Sequence, residues 1–205
     1  MKQSFFIDTH KGITLPVMLV LFALTDQLDN PTAMVYLALH GTYGILWVLK
    51  SRLFPDKQWE QPVSWWYGLV NWGALTLYWI PGWIIATGNV QAPAWLLGLA
   101  AGVYTLGIFY HFVADMQKHV SLQLRPGFFE GALWARSRNP NYFGELLVYC
   151  GFSMLAMHWL PFAVIVAFLV FVWIPNMRRK DRSLSRYDGY SSYRRRSRWM
   201  IPFLV

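Results

Sequence analysis

The chain of 205 residues is 56% hydrophobic and 18% aromatic, and only 14% of its positions carry a charge. That is about half the charged fraction of an ordinary soluble domain, which argues against a water-soluble globule. The formal net charge of +8 does not point to nucleic acid, because the basic residues border apolar segments and crowd the C-terminal tail, a distribution that fits a membrane face.

Charged side chains are missing from 12–25, 31–49, 61–114 and 146–177. The gap from Gln61 to Ala114 is more than twice the ~20 residues that one crossing of the hydrocarbon core requires, so it holds at least two crossings. A charge at the centre of a span costs about 3 kcal/mol on insertion scales, so such gaps mark an all-α, polytopic integral membrane bundle. Six transmembrane helices are predicted, at 12–27, 32–50, 66–88, 93–117, 141–157 and 159–177. The first is short and contains Pro16, which predicts a tilt, a kink or partial insertion. Lys2 and Lys11 ahead of the apolar stretch Ile13 to Leu24 are reminiscent of a signal peptide. No small-x-small cleavage site follows before Asp26 and Asp29, and the segment is read as a mature helix. The stretch 87–93 is turn-forming, and His158-Trp-Leu-Pro161 makes a tight hairpin between the last two spans.

With six crossings, Lys2 and Lys11, the group Lys50, Arg52 and Lys57, the group Lys118, Arg125, Arg136 and Arg138, and the whole tail fall on one side. The alternate connections 26–31, 88–93 and 157–161 contain neither Lys nor Arg. An N-in, C-in topology follows, with the tail at the cytoplasmic face. Trp59, Trp65, Trp66, Trp159 and Trp173 near helix ends match an interfacial aromatic belt. Cys150 has no second cysteine to pair with, so redox compartment and organelle stay open. There is no internal repeat, low-complexity linker or separate soluble domain, and any chemistry must use helix ends, the loop 118–140 and the tail 176–205.

Three constellations carry chemical potential. In Arg136-Ser-Arg138-Asn-Pro-Asn141-Tyr-Phe-Gly-Glu145, Asn139 is placed to cap a helix that starts with Pro140. Asn141 and Glu145 then share a face, with Glu145 more than a turn inside an apolar helix, where an ionisable group is paired or functional. Arg136 and Arg138 beside a helix N-terminus suit a phosphate. In His111-Phe-Val-Ala-Asp115-Met-Gln-Lys118, the three polar residues share one face at the inner end of the fourth span. His111 and Asp115 are too few for a metal site and no HExxH or CxxC accompanies them, so metal catalysis is not expected. The tail from Arg178 to Arg198 includes Asp181, Arg182, Tyr187, Tyr190 and Tyr193, a mixture of arginine and tyrosine able to meet the phosphates and base of a cofactor. For Arg194 to Arg198, contact with anionic headgroups is the simpler role. No dinucleotide glycine fingerprint or phosphate loop is present.

Asn141-Tyr-Phe-Gly-Glu145, the Trp-Leu-Pro hairpin at 159–161, the basic stretch, and Tyr193 ahead of Met200-Ile-Pro-Phe203 together resemble the C-terminal half of the steroid 5α-reductase family. Arg138-Asn-Pro-Asn-Tyr-Phe-Gly is also similar to the Arg-His-Pro-Asn-Tyr motif of sterol C14-reductases and isoprenylcysteine carboxyl methyltransferases. The resemblance covers about 105–205. It implies a single membrane domain with a lipid-substrate half, 1–104, and a cofactor-binding half, 105–205, in which Asp115, Asn141, Glu145, Arg182 and Tyr193, with His111, contact NADPH from the cytosolic side. Steroid 5α-reductases carry Glu before Leu-Pro in an early span and Tyr directly after His in the next. Here the segments read Thr14-Leu15-Pro16 and His40-Gly41-Thr42-Tyr43, so Thr replaces Glu and Tyr43 stands two positions further on. That argues against Δ4-3-keto steroid reduction by the usual pair.

The resulting expectation is a membrane-embedded, NADPH-dependent reductase of an activated C=C bond in an isoprenoid or sterol-like lipid, with Tyr43 and Glu145 as catalytic groups. Cofactor contacts are expected from His111, Asp115, Arg138, Asn141, Glu145, Asp181, Arg182, Tyr187, Tyr190 and Tyr193. The rivals are an S-adenosylmethionine-dependent methyltransferase of the isoprenylcysteine or phospholipid type and a non-catalytic lipid-binding scaffold. The partners expected are the lipid substrate and membrane lipids, without nucleic acid.

Overall fold

A computed structural model describes residues 1–125 and 127–204. Among the described residues every regular element is helical, and the chain forms an all-α, polytopic membrane bundle. In chain order the helices are α1 (Gln3–Leu24), α2 (Pro31–Leu53), α3 (Trp65–Gly88), α4 (Ala94–Leu124), α5 (Pro140–Ser153), α6 (Leu160–Leu184) and the short α7 (Tyr190–Arg196). Of these, α1, α2, α3, α4 and α6 are long and apolar enough to cross a membrane.

Four boundaries differ from expectation. Helix α4 runs to Leu124 rather than 117 and α6 to Leu184 rather than 177, because polar and charged residues extend both helices past their apolar stretches, so Lys118 and residues 178–184 are helical rather than loop or tail. Helix α1 begins at Gln3 rather than near residue 12, so Asp8 and Lys11 lie inside it. Both charges find partners on the bundle side: the Asp8 carboxylate accepts Trp47 Nε1–H (3.2 Å) and Ser51 Oγ–H (2.7 Å), and Lys11 donates to Tyr149 Oη (2.9 Å). A charge so paired does not end a membrane helix, and neither does Pro16, which lies inside α1. Helix α5, predicted over 141–157, is followed by a 3₁₀ turn that stops at Ala156, because Met157 adopts a left-handed φ of 49°. That is about 25 Å of helix against a ~30 Å hydrocarbon core, so among the described residues five helices rather than six meet the length of a full crossing.

The chain divides into two compact units, Met1–Tyr104 with Tyr149–Val164, and Thr105–Val148 with Ile165–Val205. In unit 1, α1 packs chiefly against α2 and then α3. The helices approach closely at Gly44, where an added Cβ would run into the Lys11 carbonyl oxygen. Both helices that face α1 are locally irregular. Leu37–Gly41 of α2 is a π turn, and Thr76–Trp79 of α3 is a 3₁₀ turn just ahead of Pro81. Proline removes a backbone donor and crowds the preceding turn, and such irregular turns tend to present side chains for function. Here they turn His40, Tyr78 and Trp79 toward other rings of the unit. At the connections without Lys or Arg, Asn30 caps α2 by accepting Thr32 N–H and donates to the Val90 carbonyl, while Thr32 Oγ1 accepts Ala92 N–H.

In unit 2, Gly107 of α4 meets Gly144 of α5 so closely that a Cβ on either would clash with backbone of the other helix. The loop after α4 tucks Trp134 inward, its Nε1–H donating to the Ala114 carbonyl (3.0 Å). The tail returns as an extended partner to the segment before α5: Arg138 N–H donates to Arg198 O (2.8 Å), Arg198 N–H to Arg136 O (2.9 Å) and Ser137 Oγ–H to Met200 O (2.7 Å).

Because the Gly44 contact is with backbone rather than a movable side chain, Gly44→Val should destabilise the protein by about 3 kcal/mol, the upper part of the range for overpacking. A lowered thermal midpoint in detergent, against no change for Gly73→Ala, where a Cβ meets nothing, is the expected measurement.

Candidate functional site

The Gly107–Gly144 approach brings the inner end of α4 against the start of α5, and with it three of the residues marked by the sequence. His111 Nδ1 lies 3.1 Å from the Asn141 carbonyl, which only accepts, so Nδ1 carries the hydrogen. Asn141 Nδ2–H donates to Asp115 Oδ1 at 3.0 Å, and Lys118 Nζ stands 3.8 Å from the same oxygen. His111 and Asp115 are buried, whereas Asn141 and Glu145 are half-buried. Asn141 Oδ1 is a buried acceptor with no hydrogen-bond partner among the described residues. A buried acceptor left unpaired costs about 1–3 kcal/mol, so its persistence needs a reason.

A second group of marked residues converges on Arg138. Its Nε donates to Asp181 Oδ2 (3.3 Å), and its terminal nitrogen donates to Arg194 O (3.1 Å) and Ser197 O (2.8 Å). Tyr190 Oη–H donates to Asp181 Oδ1 (2.6 Å) and Tyr193 Oη–H to Trp134 O (2.7 Å). The rings of Tyr187, Tyr190 and Tyr193, three residues apart, all meet Phe128. Arg138, Asp181, Tyr190 and Tyr193 thus hold the tail onto the loop before α5, while Arg182 is exposed and Tyr187 half-buried. Breaking a buried, hydrogen-bonded ion pair from one side costs about 3–5 kcal/mol, which makes Arg138 the main tie of the tail.

Sequence reasoning missed the residues that join these groups. Asn139, expected as a helix cap, keeps the cap role with its carbonyl, which accepts Phe143 N–H. Its side chain instead accepts from Lys180 Nζ and donates to Trp199 O (2.7 Å). Lys118 and Lys180 both lie over the Trp134 ring, at 6.0 and 5.0 Å from its centroid. Nothing in local spacing marks Trp134 or Phe128, because their partners lie far along the chain.

In unit 1, Tyr43 is fully buried with its ring 4.3 Å from Lys11 Nζ. Trp47, Tyr78 and Tyr149 complete an aromatic box around that ammonium, at 5.2, 5.9 and 5.1 Å. Such contacts contribute about 2 kcal/mol when desolvated. Thr14, which stands where a glutamate was expected, donates to the His10 carbonyl and accepts Trp79 Nε1–H, both at 3.0 Å.

Residues 1–197 match the family model described as protein of unknown function, DUF1295. The chain belongs to the DUF1295 family. No curated protein matches it. The match runs through both units and ends in the tail of this DUF1295 protein at Ser197, whose carbonyl receives Arg138.

The tail clasp also sets a pH dependence. Burial, then the Asp181 hydrogen bond and charge, push the Tyr190 hydroxyl above its ordinary pKa of 10.0, and burial first of all does the same for Tyr193. Both must stay protonated to donate, so their contribution is complete below the unfolded value and is lost as pH rises through the raised folded one. Tyrosinate absorbance at 295 nm should therefore show a late-titrating fraction that Tyr190→Phe and Tyr193→Phe each reduce, with the tail becoming protease-sensitive over the same alkaline range.

Proposed function

We propose that this DUF1295 protein is a membrane-embedded, NADPH-dependent reductase that saturates an activated C=C bond in an isoprenoid or sterol-like lipid, as the resemblance of 105–205 to steroid 5α-reductases implies. The observation that carries the reading is the His111–Asp115–Asn141 cluster, in which buried Asn141 Oδ1 has no hydrogen-bond partner among the described residues. An amide oxygen fixed by a buried carboxylate, one turn from Glu145, is the donor and acceptor set that a nicotinamide carboxamide or a ribose hydroxyl satisfies.

The residues fit NADPH with divided roles. Asn141, Asp115, His111 and Glu145 bind and orient it, and exposed Arg182 and half-buried Tyr187 meet its phosphates and base. Arg138, Asp181, Tyr190 and Tyr193 keep the tail in place, since their polar groups serve the clasp. NADPH supplies a hydride when bound; the protein excludes water and polarises the acceptor, for which Tyr43 is the buried phenol. With α5 as a short sixth crossing, the charge rule makes the cofactor side cytoplasmic, and the exposed Arg194 and Arg195 meet anionic headgroups.

The methyltransferases of the resemblance carry paired acidic residues in the tail, whereas this tail offers only Asp181 and Asp188, seven apart, and both oxygens of Asp181 are engaged, by Tyr190 and Arg138. That favours the reductase. Equilibrium binding in nanodiscs should show NADPH binding that Asn141→Ala weakens at least tenfold, equivalent to about 1.4 kcal/mol. Arg182→Ala should weaken it less and reduce its salt dependence. S-Adenosylmethionine binding without NADPH binding overturns the proposal.

A further inference from the structure

The end of the chain has two sides. Tyr190, Tyr193 and Ser197 are buried, one helical stripe turned onto the loop before α5, whereas Arg194, Arg195 and Arg198 are exposed. Arg196, also exposed, is taken up by Glu130 at 2.6 Å. The apolar residues that follow do not tuck away: Phe203 and Leu204 are exposed, and the Arg136 guanidinium lies 5.9 Å from the Phe203 ring centroid. Only 185–189 separate α7 from α6, so α7 stays within about 20 Å of the end of that spanning helix. Exposed arginines beside exposed apolar side chains, tethered so closely to a membrane span, fit a segment lying in the headgroup layer.

The same residues are fastened inward through their backbone. Arg194 O and Ser197 O accept from the Arg138 guanidinium at 3.1 and 2.8 Å. Arg198 accepts Arg138 N–H at 2.8 Å and donates to Arg136 O at 2.9 Å, and Trp199 O accepts Asn139 Nδ2–H at 2.7 Å. Asn139 stands two residues before Asn141, whose amide donates to Asp115. Segment 194–199 is therefore a strap, with carbonyls on the lead-in to α5 and cationic side chains on the outside. Whatever immobilises those side chains immobilises the backbone that holds Arg138 and Asn139.

We propose that the strap is a docking surface for an anionic phospholipid leaflet, and that lipid phosphates held by Arg194, Arg195 and Arg198 keep it closed on the start of α5. A guanidinium fork matches a pair of phosphate oxygens. A zwitterionic leaflet offsets each phosphate with its own ammonium, so the field that draws a polybasic segment comes from anionic lipids. Little opposes that field, because Asp181 and Asp188 are the only acidic residues between Arg178 and Arg198, and Asp181 is engaged by Arg138 and Tyr190. Lipid charge thereby controls the order of the segment that leads to Asn141. That this order governs cofactor retention rests on the reductase reading; the response of the strap to lipid does not.

The test uses the full chain in nanodiscs of phosphatidylcholine alone or mixed with phosphatidylglycerol, read by hydrogen exchange of the peptides that contain Arg138 and Arg198, whose N–H groups lie in the inward pairing. Phosphatidylglycerol should slow their exchange at least threefold, and ~1 M salt, where the Debye length is about 3 Å, should remove the effect. Replacing Arg194, Arg195 and Arg198 together by glutamine should abolish the lipid response and leave exchange in phosphatidylcholine as it was, because the backbone carbonyls remain. Exchange in the unaltered protein that ignores lipid charge overturns the proposal, as does equal slowing by inorganic phosphate in phosphatidylcholine nanodiscs; both measurements decide even where the triple variant fails to fold. NADPH binding on the same preparations separates the two ideas. Intact NADPH binding with lipid-independent exchange sinks the strap alone, and lipid-dependent exchange without NADPH binding leaves the strap and removes the reductase.

Discussion

A charge or amide surrounded by hydrocarbon has no water to fall back on, so the protein must supply every partner itself. That constraint accounts for most of what is distinctive in this chain. Asp8 is met by Trp47 and Ser51, Lys11 by Tyr149 and a box of rings, and Asp115 by Asn141 and Lys118. Arg138 is met by a carboxylate and two carbonyls of the tail. Against this background of satisfied groups, the ring nitrogens of His10, the Tyr104 hydroxyl and Oδ1 of Asn141 are buried without a hydrogen-bond partner among the described residues. Buried polar groups are left unsatisfied in native proteins for identifiable reasons, ligand recognition among them.

The means of bringing these groups together is glycine in helix contacts rather than any polar motif. Gly44 lets α2 press against the Lys11 carbonyl, and Gly107 with Gly144 lets α4 and α5 touch backbone to backbone. Small residues at such crossings are what membrane helices use in place of a hydrophobic driving force between them. Each crossing sits within a turn of a polar cluster: Tyr43 next to Gly44, Asn141 one turn before Gly144. Packing and chemistry are therefore set by the same few positions.

The membrane class and most helix positions were legible in the sequence, because the cost of a charge in a bilayer is written directly into charge-free runs. His111, Asp115 and Asn141 were also legible, since helical spacing puts the first two on one face and Pro140 fixes where α5 starts. The rule failed where a charge is paired internally. Asp8 and Lys11 read as the outer border of a span, yet they lie inside α1 because residues far along the chain neutralise their cost. It failed again at α5, whose end is set by the left-handed backbone at Met157 rather than by a change of polarity.

Taken alone, the amino-acid order determined that the chain is a helical membrane bundle with a cationic tail and a polar segment at the head of α5, because periodicity and transfer cost are local properties. Only the tertiary structure decided which polar groups are spent and which are offered. Arg138, Asp181, Tyr190 and Tyr193 belong to a clasp, whereas Asn141 and His10 keep buried atoms without partners among the described residues. Satisfaction of a buried hydrogen-bonding group depends on atoms that meet only after folding, so no reading of spacing along one chain can assign it.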